Sequence, residues 1–184
     1  GTMKMAVLSP QKPMSSQFYD NDVADNIEAL VDMYVASQKL DVRRIYLTGL
    51  SQGSIGTWNL AAARPSRWAA IAPVSGGLRP LFKEAASALK DTPIWAFHAP
   101  NDVILPVAMS DKSVDACKRL ATRTAEIKYT RDEAGGSDPS WAAAGIPDMP
   151  GHGGMNLVAY YPQDSPPYPL YEWLLQFRSN KVNS

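Results

Sequence analysis

The chain has few of the residues that build staples or metal sites, and no excess of charge of either sign. It holds a single cysteine, Cys117, and two histidines, His98 and His152. A lone cysteine excludes an internal disulfide framework and any zinc site based on paired thiolates. Cys117 falls in a helical stretch, which predicts packing rather than chemistry. Neither sign of charge is in excess, since 18 Lys and Arg against 18 Asp and Glu give a formal net charge of +0. Such a surface has no positive field to hold a phosphate backbone, so nucleic acid is not an expected partner. No apolar run approaches the ~20 residues that a membrane helix needs. No secretory leader is visible, and Gly1-Thr2-Met3 reads as a cloning remnant ahead of an internal start.

The remaining composition is that of an ordinary globular protein, 45% hydrophobic and 20% charged over 184 residues. That length suits one domain covering residues 1–184. Five short apolar runs read as strands: residues 5–10, 45–47, 68–74, 93–98 and 125–130. Helical stretches lie among them. One opens at the capping pair Asn21-Asp22 and repeats Val23, Ile27, Leu30, Val31, Tyr34 and Val35 on one face. Others are expected over 57–63, 81–89, 106–120 and 168–178, while 131–167 is Gly/Pro-rich and predicts a long loop. Strands alternating with helices imply an α/β fold, a three-layer α/β/α sandwich around a mainly parallel sheet.

The segment that carries chemistry is Tyr46-Leu-Thr-Gly-Leu-Ser-Gln-Gly-Ser-Ile-Gly-Thr-Trp58. Strand, G-x-S-x-G, helix is the layout of a nucleophile elbow. The tight turn lifts the Ser51 hydroxyl above the sheet edge and needs room at Gly49 and Gly53. It also aims the first amides of the next helix at the reacting atom, making the Gln52 N–H a natural oxyanion donor. A serine hydroxyl needs a positioned base. His152, in Gly151-His-Gly-Gly154, lies in the long loop. His98 ends a strand and is expected to pack or hydrogen-bond beneath the site. Asp102 follows that strand, giving the chain order Ser, Asp, His. Asp132, Asp138 and Asp148 are the competing acids. Trp141, Met149, Met155, Tyr160 and Tyr161 are candidates to line a substrate cleft, with loop packing as the alternative.

These segments, followed by Trp68-Ala-Ala-Ile-Ala-Pro-Val-Ser-Gly-Gly77 and Pro93-Ile-Trp-Ala-Phe-His-Ala-Pro-Asn-Asp102, resemble the esterase and peptidase-like branch of the α/β hydrolases. That branch includes polyhydroxybutyrate-depolymerase-like, feruloyl-esterase-like and phospholipase/carboxylesterase-like enzymes. The resemblance implies Ser51 as nucleophile, Asp102 as acid, His152 as base and the Gln52 amide in the oxyanion hole. It implies a carboxylic ester substrate, an acyl-enzyme intermediate, and no metal or cofactor. Two departures stand out. No His-Gly-Gly-type loop or additional N-terminal strands precede Ser51, and Met155 stands where the family often has tryptophan. A non-catalytic binding protein of hydrolase fold is the rival expectation, and peptidase or thioesterase activity the rival within enzymes.

Overall fold

The computed structural model describes residues 5–79, 82–132, 143–147, 149–160 and 169–179. Four strands, β1 (Tyr46–Leu50), β2 (Ala70–Val74), β3 (Ile94–Phe97) and β4 (Ile127–Thr130), form one sheet in the order β1-β2-β3-β4. Every pairing is parallel. Between consecutive strands run α2 (Gln52–Ala63), α3 (Phe82–Ala88) and α4 (Ala108–Lys118), while α1 (Asn21–Gln38) precedes the sheet. Helices α5 (Gly154–Tyr160) and α6 (Pro169–Leu175) follow it.

The layers follow from the two-residue side-chain period of a strand. Ile71, Ile94 and Ala96 point to one face, where they pack with Trp58 and Ala61 of α2, Ala86 of α3, and Val114 and Cys117 of α4. Ala70, Ala72, Val74 and Phe97 point to the other, against Met155 and Ala159 of α5 and Leu170, Trp173 and Leu174 of α6. The strand order advances one step per βα unit, so like-handed crossovers put α2, α3 and α4 on the same face. β2 is buried along its whole length, as expected for a parallel strand covered on both sides. Cys117 belongs to this core, and burial pushes its thiol up to about 11.

Three expectations need correction. Residues 5–10 form no strand. Pro10 removes one backbone donor there, and among the described residues no strand pairs with the rest. Within the expected loop 131–167, Gly154–Tyr160 is a helix. It is too short for a periodicity window and begins on glycine, yet Met155 and Ala159, one turn apart, both reach the core. Finally, Asp20 rather than Asn21-Asp22 is the N-cap of α1. The Asp20 carboxylate turns back to accept the Gln17 N–H at 2.7 Å.

Only the first half of the α1 stripe enters the core: Val23, Ala24 and Ile27 pack on Leu60. Val31 is partly buried against that cluster, and with Tyr34 and Val35 it lines an apolar groove shared with Leu47, Tyr171 and Leu174. Among the described residues no helix is long and apolar enough to cross a membrane.

Candidate active site

Ser51 sits between β1 and α2 with φ 59° and ψ −118°. Positive φ in a residue with a Cβ is strained and persists only where surrounding contacts enforce it. Here the Ser51 N–H donates to Val74 O at 2.9 Å, and its own carbonyl accepts the Ile55 N–H of α2 at 3.1 Å. Trp58, fully buried, donates its indole N–H to Gly76 O and ties α2 to the end of β2. The two elbow glycines differ in their roles. A Cβ on Gly49 would lie 2.6 Å from Gly53 C and O, whereas one on Gly53 would meet nothing within 4 Å. Close packing therefore requires Gly49, and the crowding expected at Gly53 is absent.

Cross-strand register carries the candidates to one edge. Leu50 is the partner of Val74, and Val74 of Phe97. Ser51 directly follows Leu50, His98 directly follows Phe97, and Asp102 lies on the turn beyond, its N–H bonded to Ala99 O at 3.2 Å. This is the carboxyl edge of the sheet, where parallel folds build their sites.

Asp102 and His152 are hydrogen-bonded, with Nδ1 2.7 Å from Oδ2. The other oxygen, Oδ1, accepts the Ile104 and Leu105 amides, each at 2.8 Å. Burial acts to raise the Asp102 pKa. Hydrogen bonds from His152, His98 and the Leu105 and Ile104 amides outweigh it and hold the carboxyl well below its usual range. An ionised carboxylate only accepts, so the His152 Nδ1 carries a proton and Nε2 is the basic nitrogen.

Gly151 permits this contact. Its φ is +75°, and a Cβ there would lie 2.7 Å from Asn101 C and Asp102 N. Gly151→Ala must therefore push the His152 turn off the acid. With His152 as the base, a shift of about 1 Å can cost about 10²-fold, and the variant should lose about that in kcat/KM. Strain of this kind is worth about 1–3 kcal/mol, and thermal unfolding should show a loss in that range. A variant with undiminished turnover would show that the close approach is not needed.

Residues 5–140 match the phospholipase/carboxylesterase family. The chain belongs to that family of α/β hydrolases. It is 30% identical over 79 residues to a bifunctional acetylxylan esterase/xylanase of Neocallimastix patriciarum, which covers 43% of this chain and 11% of that protein. It is 40% identical over 52 residues to poly(3-hydroxyalkanoate) depolymerase C of Paucimonas lemoignei, covering 28% of this chain and 13% of the relative. The crystal structure of a thermostable esterase superposes with a TM-score of 0.67 at 25% identity, over 90% of this chain and 39% of the other. The chain thus spans well under half the length of these three relatives.

The remaining candidates of this phospholipase/carboxylesterase chain are distributed unevenly. Gln52 is the first residue of α2, where backbone N–H groups have no intrahelical acceptor, and its side-chain amide contacts Gln17 at 3.2 Å. Met155 is fully buried in the core beneath the sheet. Tyr160 packs near Tyr171 and bonds the Thr48 hydroxyl, 2.5 Å away. Trp141, Asp138, Asp148 and Tyr161 lie outside the described residues. No group of metal-ligating side chains suited to an ion occurs among the described residues. Sequence reasoning missed Ser110 and Gly76. Ser110 Oγ lies 2.7 Å from His98 Nδ1 and donates to Gly76 O at 2.6 Å. A serine inside a helix carries no local signal of such a role.

Proposed function

We propose that this chain is a single-domain serine hydrolase that cleaves small carboxylic esters through an acyl-enzyme. The reading rests chiefly on the 2.7 Å contact between His152 Nδ1 and Asp102 Oδ2, at the sheet edge that also carries the strained Ser51. Family membership supports ester hydrolysis as the reaction class. Ser51 Oγ attacks the ester carbonyl carbon while His152 Nε2 takes its proton. The Gln52 N–H, at the positive end of α2, stabilises the oxyanion. Collapse of the tetrahedral intermediate expels the alcohol, which receives the proton from His152. Water, deprotonated by the same nitrogen, then attacks the acyl-enzyme and releases the acid and free Ser51. Asp102 holds the imidazole in the required tautomer throughout. The chemistry calls for no metal or cofactor.

A fluorophosphonate probe tests the reading, because it phosphonylates only an activated serine. We expect one adduct per chain, located on Ser51 by peptide mass, and labelling slowed by orders of magnitude in His152→Ala. Folded protein that takes no label, or takes it equally well as Ser51→Ala, would overturn the reading in favour of a hydrolase fold used for binding alone.

A further inference from the structure

One buried titratable group stands outside this scheme. His98 is 0% exposed, and each of its ring nitrogens faces atoms that accept. Its Nδ1 lies 2.7 Å from Ser110 Oγ. That hydroxyl lies 2.6 Å from Gly76 O, a carbonyl with no proton to give, so the hydroxyl proton occupies that contact. Ser110 therefore accepts from His98. On the opposite side, Nε2 faces Leu105 O at 3.0 Å and Asp102 Oδ2 at 3.1 Å, a carbonyl and an ionised carboxylate. A neutral imidazole has one N–H and one lone pair. In either tautomer its lone pair would point at oxygen lone pairs, on a ring fully shielded from solvent.

We propose that His98 is a fixed imidazolium, a positioning residue that binds the same Asp102 oxygen as His152 and neutralises the buried carboxylate. Its charge state follows from the contacts alone, whereas its positioning role rests on the serine hydrolase reading. The charges then balance at each stage. Before attack, Asp102 and His98 sum to zero. In the tetrahedral intermediate, imidazolium at His152 and the oxyanion add one charge of each sign. A site neutral throughout avoids burying a lone charge, which is expensive in a low dielectric. Sharing one carboxylate oxygen also ties the two rings together, so the orientation of His152 depends on His98.

The other groups around His98 leave this balance intact. Helix α4 presents Ser110 and, beside it, Asp111, which accepts from Tyr129 and pairs with Arg131 at 3.4 Å. From β4, Thr130 O accepts the His98 backbone N–H. The loop bearing His152 contributes that imidazole.

Nitrogen-15 NMR on histidine-labelled protein tests the charge state, since only two rings are present. At about pH 8, above the ordinary histidine range, one ring should have both nitrogens protonated, and that signal should vanish in His98→Gln. If His98→Gln does not fold, loss of the other ring in His152→Ala makes the assignment. A bare nitrogen on the His98 ring would overturn the proposal. The positioning role is read from p-nitrophenyl acetate turnover against pH. In His98→Gln the plateau of kcat/KM should fall about tenfold, as for other residues that orient an active-site ligand. Its acid limb should move as well, because the carboxylate then contacts His152 alone. A limb that stays in place, with only stability lost, would reduce His98 to a structural group. Wild-type turnover independent of Ser51 would instead sink the hydrolase reading, and the NMR result would still decide the charge of His98.

Discussion

Ser51→Gly should give a folded protein that is inert and more stable than its parent. In the proposed mechanism Ser51 is the nucleophile, so its loss removes the covalent route, which in serine hydrolases lowers kcat by about 10⁴–10⁶-fold. The stability change has a separate origin. Ser51 occupies φ 59°, ψ −118°, a conformation costly to a residue with a Cβ. Such strain is worth about 1–3 kcal/mol, while the greater freedom of glycine in the unfolded chain offsets about 0.5–1 kcal/mol. A net gain of about 1 kcal/mol in urea unfolding follows. Ser51→Ala serves as the control: it should be equally inert but retain the strain, and so gain little. Equal stability of the two variants would mean that the turn is relaxed, which would weaken the assignment of Ser51 as a residue held in place for reaction. A rate loss under tenfold would dismiss it as nucleophile.

The parallel sheet is legible because its signals are local. Short apolar runs bounded by Gly and Pro are read one at a time, and their alternation with helices fixes the layer order. Residues 5–10 mislead for the same reason, since an apolar run reads as a strand whether or not a neighbour exists to pair with it. Gly49 can be read from the elbow pattern. Gly151 cannot, because the backbone it must clear belongs to Asn101 and Asp102, some fifty positions away in sequence. Chain order selects Asp102 ahead of the other acids, and the contact with His152 agrees with that choice. The surroundings of His98 are the least legible part. They depend on a hydroxyl from α4, a carbonyl after β2 and another from the Asp102 turn, brought together only by folding.

Asp102→Asn should be the most damaging near-isosteric change in the chain. Four donors converge on the two carboxylate oxygens: the Ile104 and Leu105 amides on Oδ1, and the rings of His152 and His98 on Oδ2. Asparagine has one oxygen and one NH₂, so either orientation sets N–H against N–H on one side. If the NH₂ faces the rings, His152 must adopt the other tautomer, with its proton on the nitrogen that should act as base. That exchange lowers kcat by about 10⁴-fold in a related arrangement. If the NH₂ faces the amides, the turn carrying the residue opens. Breaking a buried charged network of this kind costs about 3–5 kcal/mol, so unfolding should move to markedly lower denaturant. The pH dependence separates charge from shape. Because the native Asp102 carboxyl is held below its usual range, the stability it contributes is complete above about pH 4, the unfolded value, and is lost as pH falls through the lower native one. The gap between wild type and variant should therefore be widest at neutral pH and narrow steadily in acid. A gap that stays constant down to about pH 2 would show that the loss comes from packing alone and that Asp102 carries no buried charge.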